Sequence, residues 1–212
     1  MLYAIDSDDV LFILNDTLQS YKVKQDRSKG VMDTKVLKTE EIFDYNLGRV
    51  WGCSLEEAFG IVDDFFNSEE FYNMRPVPGA QRAIGELKEE GHDLIVLTSR
   101  PEWMQQKTLE QIASYYPGRF DDVLFSGEWS KNPNGNSKGV ICKDLGVKRL
   151  VDDRFKYCND TSQHGIKSYL FDLDGNYAWN KKSGLILPTN ITRVKSWEEI
   201  MEKERVNSPK MV

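Results

Sequence analysis

The stretch Leu2-Tyr3-Ala4-Ile5-Asp6-Ser7-Asp8-Asp9-Val10 decides how the rest of the chain is interpreted. Its first four residues are mostly apolar, which predicts a short buried strand. Two carboxylates one residue apart, those of Asp6 and Asp8, follow directly. Burying unpaired carboxylates is costly, and the ligands of open α/β sheets bind at the carboxyl ends of the strands. The pair therefore indicates either a site for a cation or a phosphoryl group, or an acidic turn capping a helix that begins at Val10.

Length and composition limit the class of protein. The 212 residues are 40% hydrophobic and 29% charged, which suffices for one substantial hydrophobic core and a small second core. The formal net charge of -6 argues against a nucleic-acid polymer as partner, because polyanions are bound by arrays of Lys and Arg. Three cysteines without a CxxC pair indicate reduced thiols. No apolar run near the N-terminus predicts a signal peptide or a membrane span, so we expect a soluble, cytoplasmic protein that contacts no membrane.

The segment between the first strand and residue 76 predicts helices only. Ser54-Leu55-Glu56-Glu57 fits a capping box, and apolar residues follow it at helical spacing: Ala58, Ile61, Val62, Phe65 and Phe66. We therefore expect a small helical cap at 14–75, inserted into an α/β core made of residues 1–13 and 76–205. Residues 206–212 should form a flexible tail.

Predicted strands and helices alternate after residue 76. Apolar runs at 94–97, 123–125, 149–151 and 168–171 predict four further strands, and helical patterns separate them. Such alternation requires a parallel sheet with helices on both faces. The predicted fold class is α/β: a Rossmann-like parallel sheet of about five strands, with the helical cap inserted after the first strand.

Polar residues follow several of these strands and should meet at one edge of the sheet. They are Asp6 and Asp8 after the first strand, Thr98 and Ser99 after the second, Asp152 and Asp153 after the fourth, and Lys138, which begins the helix before the fourth strand. The carboxylates need a cation, and the lysine offsets charge on whatever joins it. This set suits phosphoryl transfer through an aspartyl intermediate: one carboxylate attacks phosphorus, a second protonates the leaving oxygen, and others hold Mg²⁺.

The same residues resemble the four motifs of the haloacid dehalogenase superfamily of hydrolases. The match consists of Asp6-x-Asp8-x-Val10, Thr98 ending an apolar strand, Lys138, and Asp152-Asp153 after another apolar strand, in this order over nearly the whole chain. The resemblance implies a phosphomonoesterase with Mg²⁺ as cofactor and a small phosphorylated metabolite as substrate.

Roles for individual residues follow from the resemblance. Asp6 would be the nucleophile, and Asp8 would be the general acid and then the base. The phosphoryl group would be held by Thr98, Ser99 and Lys138. The metal ligands would be Asp6, a backbone carbonyl of Asp8, Asp152 and, through water, Asp153.

A narrower resemblance is to the 5'(3')-deoxyribonucleotidase branch, which implies a nucleoside monophosphate as substrate. It rests on 76–80, 98–101, 151–154 and 196–200. Aromatic residues in the cap and nearby loops, among them Phe12, Tyr45, Trp51 and Trp129, either stack on a base or fill the core of the cap. A phosphotransferase, a phosphatase for another small metabolite and a non-catalytic binding protein stay open alternatives, and the oligomeric state is not predicted.

Two features depart from the simplest pattern. Asp9 stands where the family usually has Gly, which eases a tight turn, so we expect a constrained backbone at Asp9 and extra negative charge beside the metal. The run 171–176 imitates the first motif, but too little chain follows it to supply the other motifs. We predict that it is only the turn after the fifth strand.

Overall fold

The computed structural model describes residues 1–127, 136–181 and 185–207. Six strands lie in these ranges: β1 (Leu2–Ile5), β2 (Asp93–Thr98), β3 (Asp122–Phe125), β4 (Arg149–Asp152), β5 (Lys167–Phe171) and β6 (Ile191–Val194). They form one sheet in the order β3-β2-β1-β4-β5-β6, and every neighbouring pair is parallel. The predicted α/β class is confirmed, with β6 as one strand more than the five predicted.

The helices between β1 and residue 76 occur as predicted, although residues 29–46 contain only one short 3-10 turn, Thr39–Glu41. The helices are α1 (Leu14–Ser28), α2 (Leu47–Trp51), α3 (Leu55–Phe66) and α4 (Glu69–Tyr72). The capping box of α3 is confirmed: the Glu57 N–H donates to Ser54 Oγ (3.2 Å), and the Ser54 N–H donates to Glu57 Oε2 (2.9 Å). We call α1 to α4 the cap. The domain boundaries themselves stay a prediction.

Five more helices surround the sheet: α5 (Ala80–Glu89), α6 (Gln105–Tyr115), α7 (Lys138–Asp144), α8 (Phe155–Ser162) and α9 (Trp197–Asn207). Successive residues of β1 point to opposite faces, so Tyr3 and Ile5 join one core with Leu87 and Ile200, while Ala4 joins another with Cys142 and Cys158. Helices therefore cover both faces. Because α9 runs to Asn207, it extends into the predicted tail, and residues 208–212 lie outside the described ranges.

Two adjacent crossings connect the cap to the core. The N–H of Ile13 donates to the carbonyl of Arg75 (2.9 Å), and the N–H of Val77 donates to the carbonyl of Leu11 (2.9 Å). Phe12 lies between them, fully buried, with its ring edge-on to those of Tyr115 and Tyr116. The cap therefore enters and leaves the core at one place, above the carboxyl end of β1. Across the described part of the chain, every helix is too short or too polar to span a membrane.

Candidate active site

Lys138 joins two of the predicted acids where β1 and β4 end. Its Nζ lies 2.6 Å from Oδ1 of Asp6 and 2.7 Å from Oδ2 of Asp152. The register of the sheet explains why these acids meet, because Ile5 is paired with Val151 and the N–H of Asp6 donates to the carbonyl of Val151 (2.9 Å). The side chains of Lys138 and Asp152 are fully buried, so the ion pairs lie out of reach of solvent screening.

The start of α7 places Lys138. Ser137 caps the helix by accepting from the N–H of Val140 (3.3 Å). The N–H of Gly139 donates to Oδ2 of Asp160 in α8 (2.6 Å). A Cβ at position 139 would lie 2.6 Å from that carboxylate, so only glycine lets α7 approach α8 this closely and bring Lys138 to the sheet edge.

A third carboxylate completes a cluster that fits a cation. Oxygens of Asp6, Asp152 and Asp153 lie within 4.8 Å of one another, and all three residues are buried. Burial raises the pKa of Asp6 to about 7, with Asp152 and Asp8 adding to the rise and Lys138 opposing it. Burial and the charge of Asp152 raise the pKa of Asp153 well above its ordinary value.

When all three carboxylates are ionised, Lys138 offsets only part of the negative charge of the cluster. Among the described residues, the Asp153 carboxylate forms no ion pair and only accepts from the hydroxyl of Tyr45 (3.4 Å). Clustered carboxylate oxygens are the donors that hard divalent cations such as Mg²⁺ prefer. The residues present therefore fit the predicted Mg²⁺. The carboxylate of Asp8 contacts Arg100 and does not belong to this cluster. The predicted metal contact of Asp8 is through its backbone carbonyl, and it stays a prediction.

Asp8 is paired with a residue to which the sequence assigned no role. Arg100 donates from Nη2 to Oδ1 of Asp8 (2.6 Å) and from Nε to Oδ2 (3.0 Å). Arg100 directly follows Thr98 and Ser99, the two predicted phosphate-binding residues. Its positive charge next to them is the feature of the sequence that could have indicated a role. The side chains are 92 positions apart in the chain, so the pairing itself could not be read from local sequence.

The two predicted phosphate-binding hydroxyls have different surroundings. Thr98 is buried, and its Oγ1 accepts from Oγ of Ser7 (3.1 Å) and from the N–H of Arg100 (3.2 Å). It therefore fixes the loops that follow β1 and β2 to each other. Ser99 is partly exposed and lines the cavity described next. Their phosphate-binding roles stay predictions.

A partly open cavity of about 80 Å³ lies between the sheet edge and the cap. Its core side includes Asp6, Asp8, Ser99 and Asp153, and its cap side is largely apolar, with contributions from Leu18, Ile42, Leu47 and Phe66. The predicted nucleophile and general acid thus face one space, which is roofed by the cap. Such a concave, mostly apolar site with a few convergent charges is the usual form of a small-molecule site.

Of the three aromatic candidates that the structure describes, one reaches this cavity. Tyr45 lines it beside Trp179, which sequence reasoning missed, and the guanidinium of Arg154 lies 3.5 Å from the centre of the Tyr45 ring. Phe12 belongs to the core, and Trp51 donates from Nε1 to Gln19 (2.8 Å) within the cap. Trp129 and the rest of 128–135 lie outside the described residues.

Asp9 has the constrained backbone that the sequence predicts, with φ of +56°. Its carboxylate is directed at the first turn of α1, where Oδ1 accepts from the N–H groups of Leu14 (3.0 Å) and Asn15 (3.1 Å). Its negative charge still helps to raise the pKa of Asp153. Burial raises the pKa of Asp9 itself to about 8, so the extra negative charge beside the metal stays a prediction, whereas the capping of α1 is a contact of the structure.

The run that imitates the first motif is the turn after β5, as predicted. Asp172 accepts from the N–H of Tyr177 (2.8 Å) and pairs with Arg193 (2.7 Å), and Asp174 is exposed. Neither acid belongs to the carboxylate cluster.

Comparison with known proteins gives one sequence relative and a set of close folds. No protein-family model matches the chain. A curated protein from Oceanobacillus iheyensis, named "putative nucleotidase", is 23% identical over 211 residues, covering 96% of this chain and 99% of that protein. A "predicted phosphatase" from Clostridium acetobutylicum superposes with a TM-score of 0.68 at 16% identity, covering 97% of this chain and 98% of the other. A haloacid dehalogenase-like hydrolase from Streptococcus pneumoniae gives 0.67 at 13% identity, with coverage of 96% and 97%.

These superpositions extend over both the sheet and the helical cap. The chain has the fold of the haloacid dehalogenase-like hydrolases, and the predicted resemblance is confirmed at that level. The sequence relative from Oceanobacillus iheyensis carries the name "putative nucleotidase".

Proposed function

We propose that this chain is a Mg²⁺-dependent phosphomonoesterase that acts through an aspartyl phosphate on nucleoside monophosphates. The observation that carries the proposal is the cluster of Asp6, Asp152 and Asp153, whose oxygens lie within 4.8 Å of one another beneath the cavity. A cluster of this kind needs a cation, and a cation there adjoins the carboxylate best placed to attack a phosphoryl group. The fold supports the proposal because phosphatases with the same fold share its sheet and cap.

The residues of the chain divide the chemistry between them. Asp6 attacks phosphorus, and the electron pair of the breaking P–O bond leaves with the substrate oxygen, which takes a proton from Asp8. Asp8 then takes a proton from water, whose oxygen attacks phosphorus and releases Asp6 and inorganic phosphate. Lys138 holds Asp6 in place at 2.6 Å. Asp6, Asp152, the backbone carbonyl of Asp8 and, through water, Asp153 would hold Mg²⁺, which would neutralise charge on the phosphoryl oxygens.

The nucleotide part of the proposal rests on the cavity and on the relative. Tyr45 and Trp179 offer aromatic surface there, and base–aromatic stacking contributes about 1–3 kcal/mol. Nε of Arg154 is buried and finds no acceptor in the described ranges, so it is available to an acceptor atom of a substrate. The resemblance to the 5'(3')-deoxyribonucleotidases and the name of the relative point in the same direction.

A phosphate-release screen tests both parts. Purified protein with Mg²⁺ is offered nucleoside 5'- and 3'-monophosphates, sugar phosphates and phosphoamino acids. We expect the nucleotides to be cleaved fastest. Much faster cleavage of sugar phosphates would refute the nucleotide assignment and leave the phosphatase assignment intact. The absence of release from every compound would refute both.

A further inference from the structure

Asp8 and Arg100 form a bidentate contact, which is more specific than a simple pairing of opposite charges. Both carboxylate oxygens accept from one guanidinium, at 2.6 and 3.0 Å. The Arg100 side chain is 1% exposed, whereas that of Asp8 is 20% exposed and reaches the cavity. Two parallel hydrogen bonds fix the plane of a carboxylate as well as its position. Asp8 is therefore held in one orientation by a group that solvent does not reach.

The rest of the guanidinium is held from two sides. Its Nη1 donates to Oγ1 of Thr108 (3.2 Å) and Oε1 of Gln111 (3.0 Å), both in α6. The ring of Phe71, in α4 of the cap, lies 4.8 Å from the guanidinium. Gln111 also donates from Nε2 to the carbonyl of Phe71 (2.7 Å). A continuous set of contacts thus runs from the cap through Arg100 to Asp8.

We propose that Arg100 is the positioning residue for proton transfer by Asp8, an inference that rests on the proposed function. In the first step the bond from phosphorus to the leaving oxygen breaks, and the proton of Asp8 goes to that oxygen. In the second step Asp8 takes a proton from water. Each transfer needs a carboxyl group that reaches the cavity in a fixed position, and the two hydrogen bonds from Arg100 fix the position of the Asp8 carboxyl group at the cavity edge. The alternative is that the pair only stabilises the fold, since a buried arginine needs acceptors wherever it lies.

Leaving-group dependence separates these two roles. A nucleoside 5'-monophosphate loses an alkoxide oxygen that must be protonated, whereas p-nitrophenyl phosphate loses a stable phenolate that needs little protonation. The value of kcat/KM reports on steps up to the first irreversible one, so it isolates the first transfer. General acid catalysis is typically worth about 100-fold or more. We expect Arg100→Gln to lower kcat/KM for the nucleotide at least about 10-fold more than for p-nitrophenyl phosphate, and Arg100→Lys to do so less.

Controls keep the inference separate from folding and from the proposed function. Arg149→Gln breaks another Arg–carboxylate pair, with Glu204 (2.8 Å), away from the cavity, and should affect both substrates equally. If the Arg100 variants do not fold, Gln111→Met carries the test, because it removes a contact of Arg100 and leaves both members of the pair in place. We expect from it a smaller selective loss.

The measured losses distinguish a positioning role of Arg100 from a purely structural one. Equal losses for both substrates in the folded Arg100 variants, or in Gln111→Met if those do not fold, would overturn the inference and leave a structural role. A gain with the nucleotide would overturn it too, by showing that the pair restrains Asp8. Asp8→Asn is measured beside them: a selective loss there without one at Arg100 refutes only the positioning role, whereas no turnover of either substrate by the native chain refutes the proposed function.

Discussion

The carboxylate of Asp9 caps the first cap helix by accepting from the backbone N–H of Asn15 at 3.1 Å. The same residue follows Asp8 directly, so one side chain connects the loop of predicted catalytic acids to the start of α1. A carboxylate at a helix N-terminus also interacts favourably with the helix dipole. The acid at the position where glycine was expected thus contributes to holding the cap against the core.

Asp9→Gly should loosen this connection. Removing a capping side chain costs about 0.5–2 kcal/mol, although glycine recovers part of that because it accepts the φ of +56° without strain. We expect a modest loss in the free energy of unfolding and faster hydrogen exchange in the first turn of α1. Asp9→Asn, which keeps an acceptor oxygen, serves as the matched control. Unchanged exchange in the glycine variant would show that the contact does not hold the helix.

Gly139→Ala should displace Lys138 through Asp160. The new methyl group would meet the Asp160 carboxylate at 2.6 Å, and relieving such an overlap costs about 1–3 kcal/mol. We expect lower thermal stability and reduced phosphate release. Asp160→Ala creates the missing space, so the double variant should be more stable than the sum of the single changes predicts. Strict additivity in this cycle would contradict the proposed overlap.

Mg²⁺ should stabilise the protein through Asp153. A ligand at about 100 times its dissociation constant adds about 2.7 kcal/mol to the free energy of unfolding, so Tm should rise with Mg²⁺. In Asp153→Asn, Tm without metal should rise, because the substitution removes a buried carboxylate whose pKa is raised by burial. The increase in Tm on adding Mg²⁺ should be smaller in this variant than in the native chain. Asp174→Asn changes an exposed acid in the sequence that imitates the first motif and should respond like the native chain. An equal Mg²⁺ response in the Asp153 variant would remove that residue from the metal site.

Glu204 in α9 should make stability depend on pH. It accepts from the hydroxyl of Tyr3 (3.0 Å), from Nε of Arg149 (2.8 Å) and from the hydroxyl of Tyr169. Burial raises the pKa of Glu204, but hydrogen bonds from Arg149, Tyr169 and Tyr3 outweigh this effect and lower it overall. A lowered folded-state pKa means that the carboxylate stabilises the fold above the unfolded-state pKa and loses this effect as the pH falls through the folded-state value.

Glu204→Gln should therefore be less stable than the native chain at neutral pH, by about 1–3 kcal/mol. The difference should shrink as the pH falls below about 4. Urea unfolding of both proteins across that range measures it. A difference that stays constant down to the acid limit would show that the charge of Glu204 does not contribute.

Local sequence patterns predict the elements that bury continuous apolar runs. β2, for example, buries five successive residues, and α3 has both a capping box and an apolar face. α1 was predicted only as part of the helical cap and without bounds, because only three of its 15 residues, Leu18, Gln19 and Val23, are buried, which leaves little periodicity to detect. β6 was missed because it is a four-residue edge strand with two partly exposed residues, and it is defined mainly by its pairing with β5.

The candidate site likewise contains residues that local sequence patterns predict and contacts that only tertiary packing determines. Asp6, Asp152 and Lys138 could be placed together from sequence, since each begins or ends an element at the same edge of a parallel sheet. The residues that contact these side chains and their neighbours could not be predicted from local sequence. Gly139 meets Asp160, 21 positions away, and Tyr45 meets Asp153, 108 positions away. These contacts arise from how α8 and the cap pack, which no local pattern encodes.

The aspartyl phosphate mechanism is tested by phosphate release by the native chain and by Asp6→Asn, measured with Mg²⁺ and a nucleoside monophosphate. Asparagine preserves the shape of the side chain and removes the nucleophilic carboxylate, and circular dichroism checks that the variant keeps its fold. We expect steady release by the native chain and complete loss of turnover in the variant. Appreciable hydrolysis by folded Asp6→Asn would contradict the aspartyl phosphate mechanism.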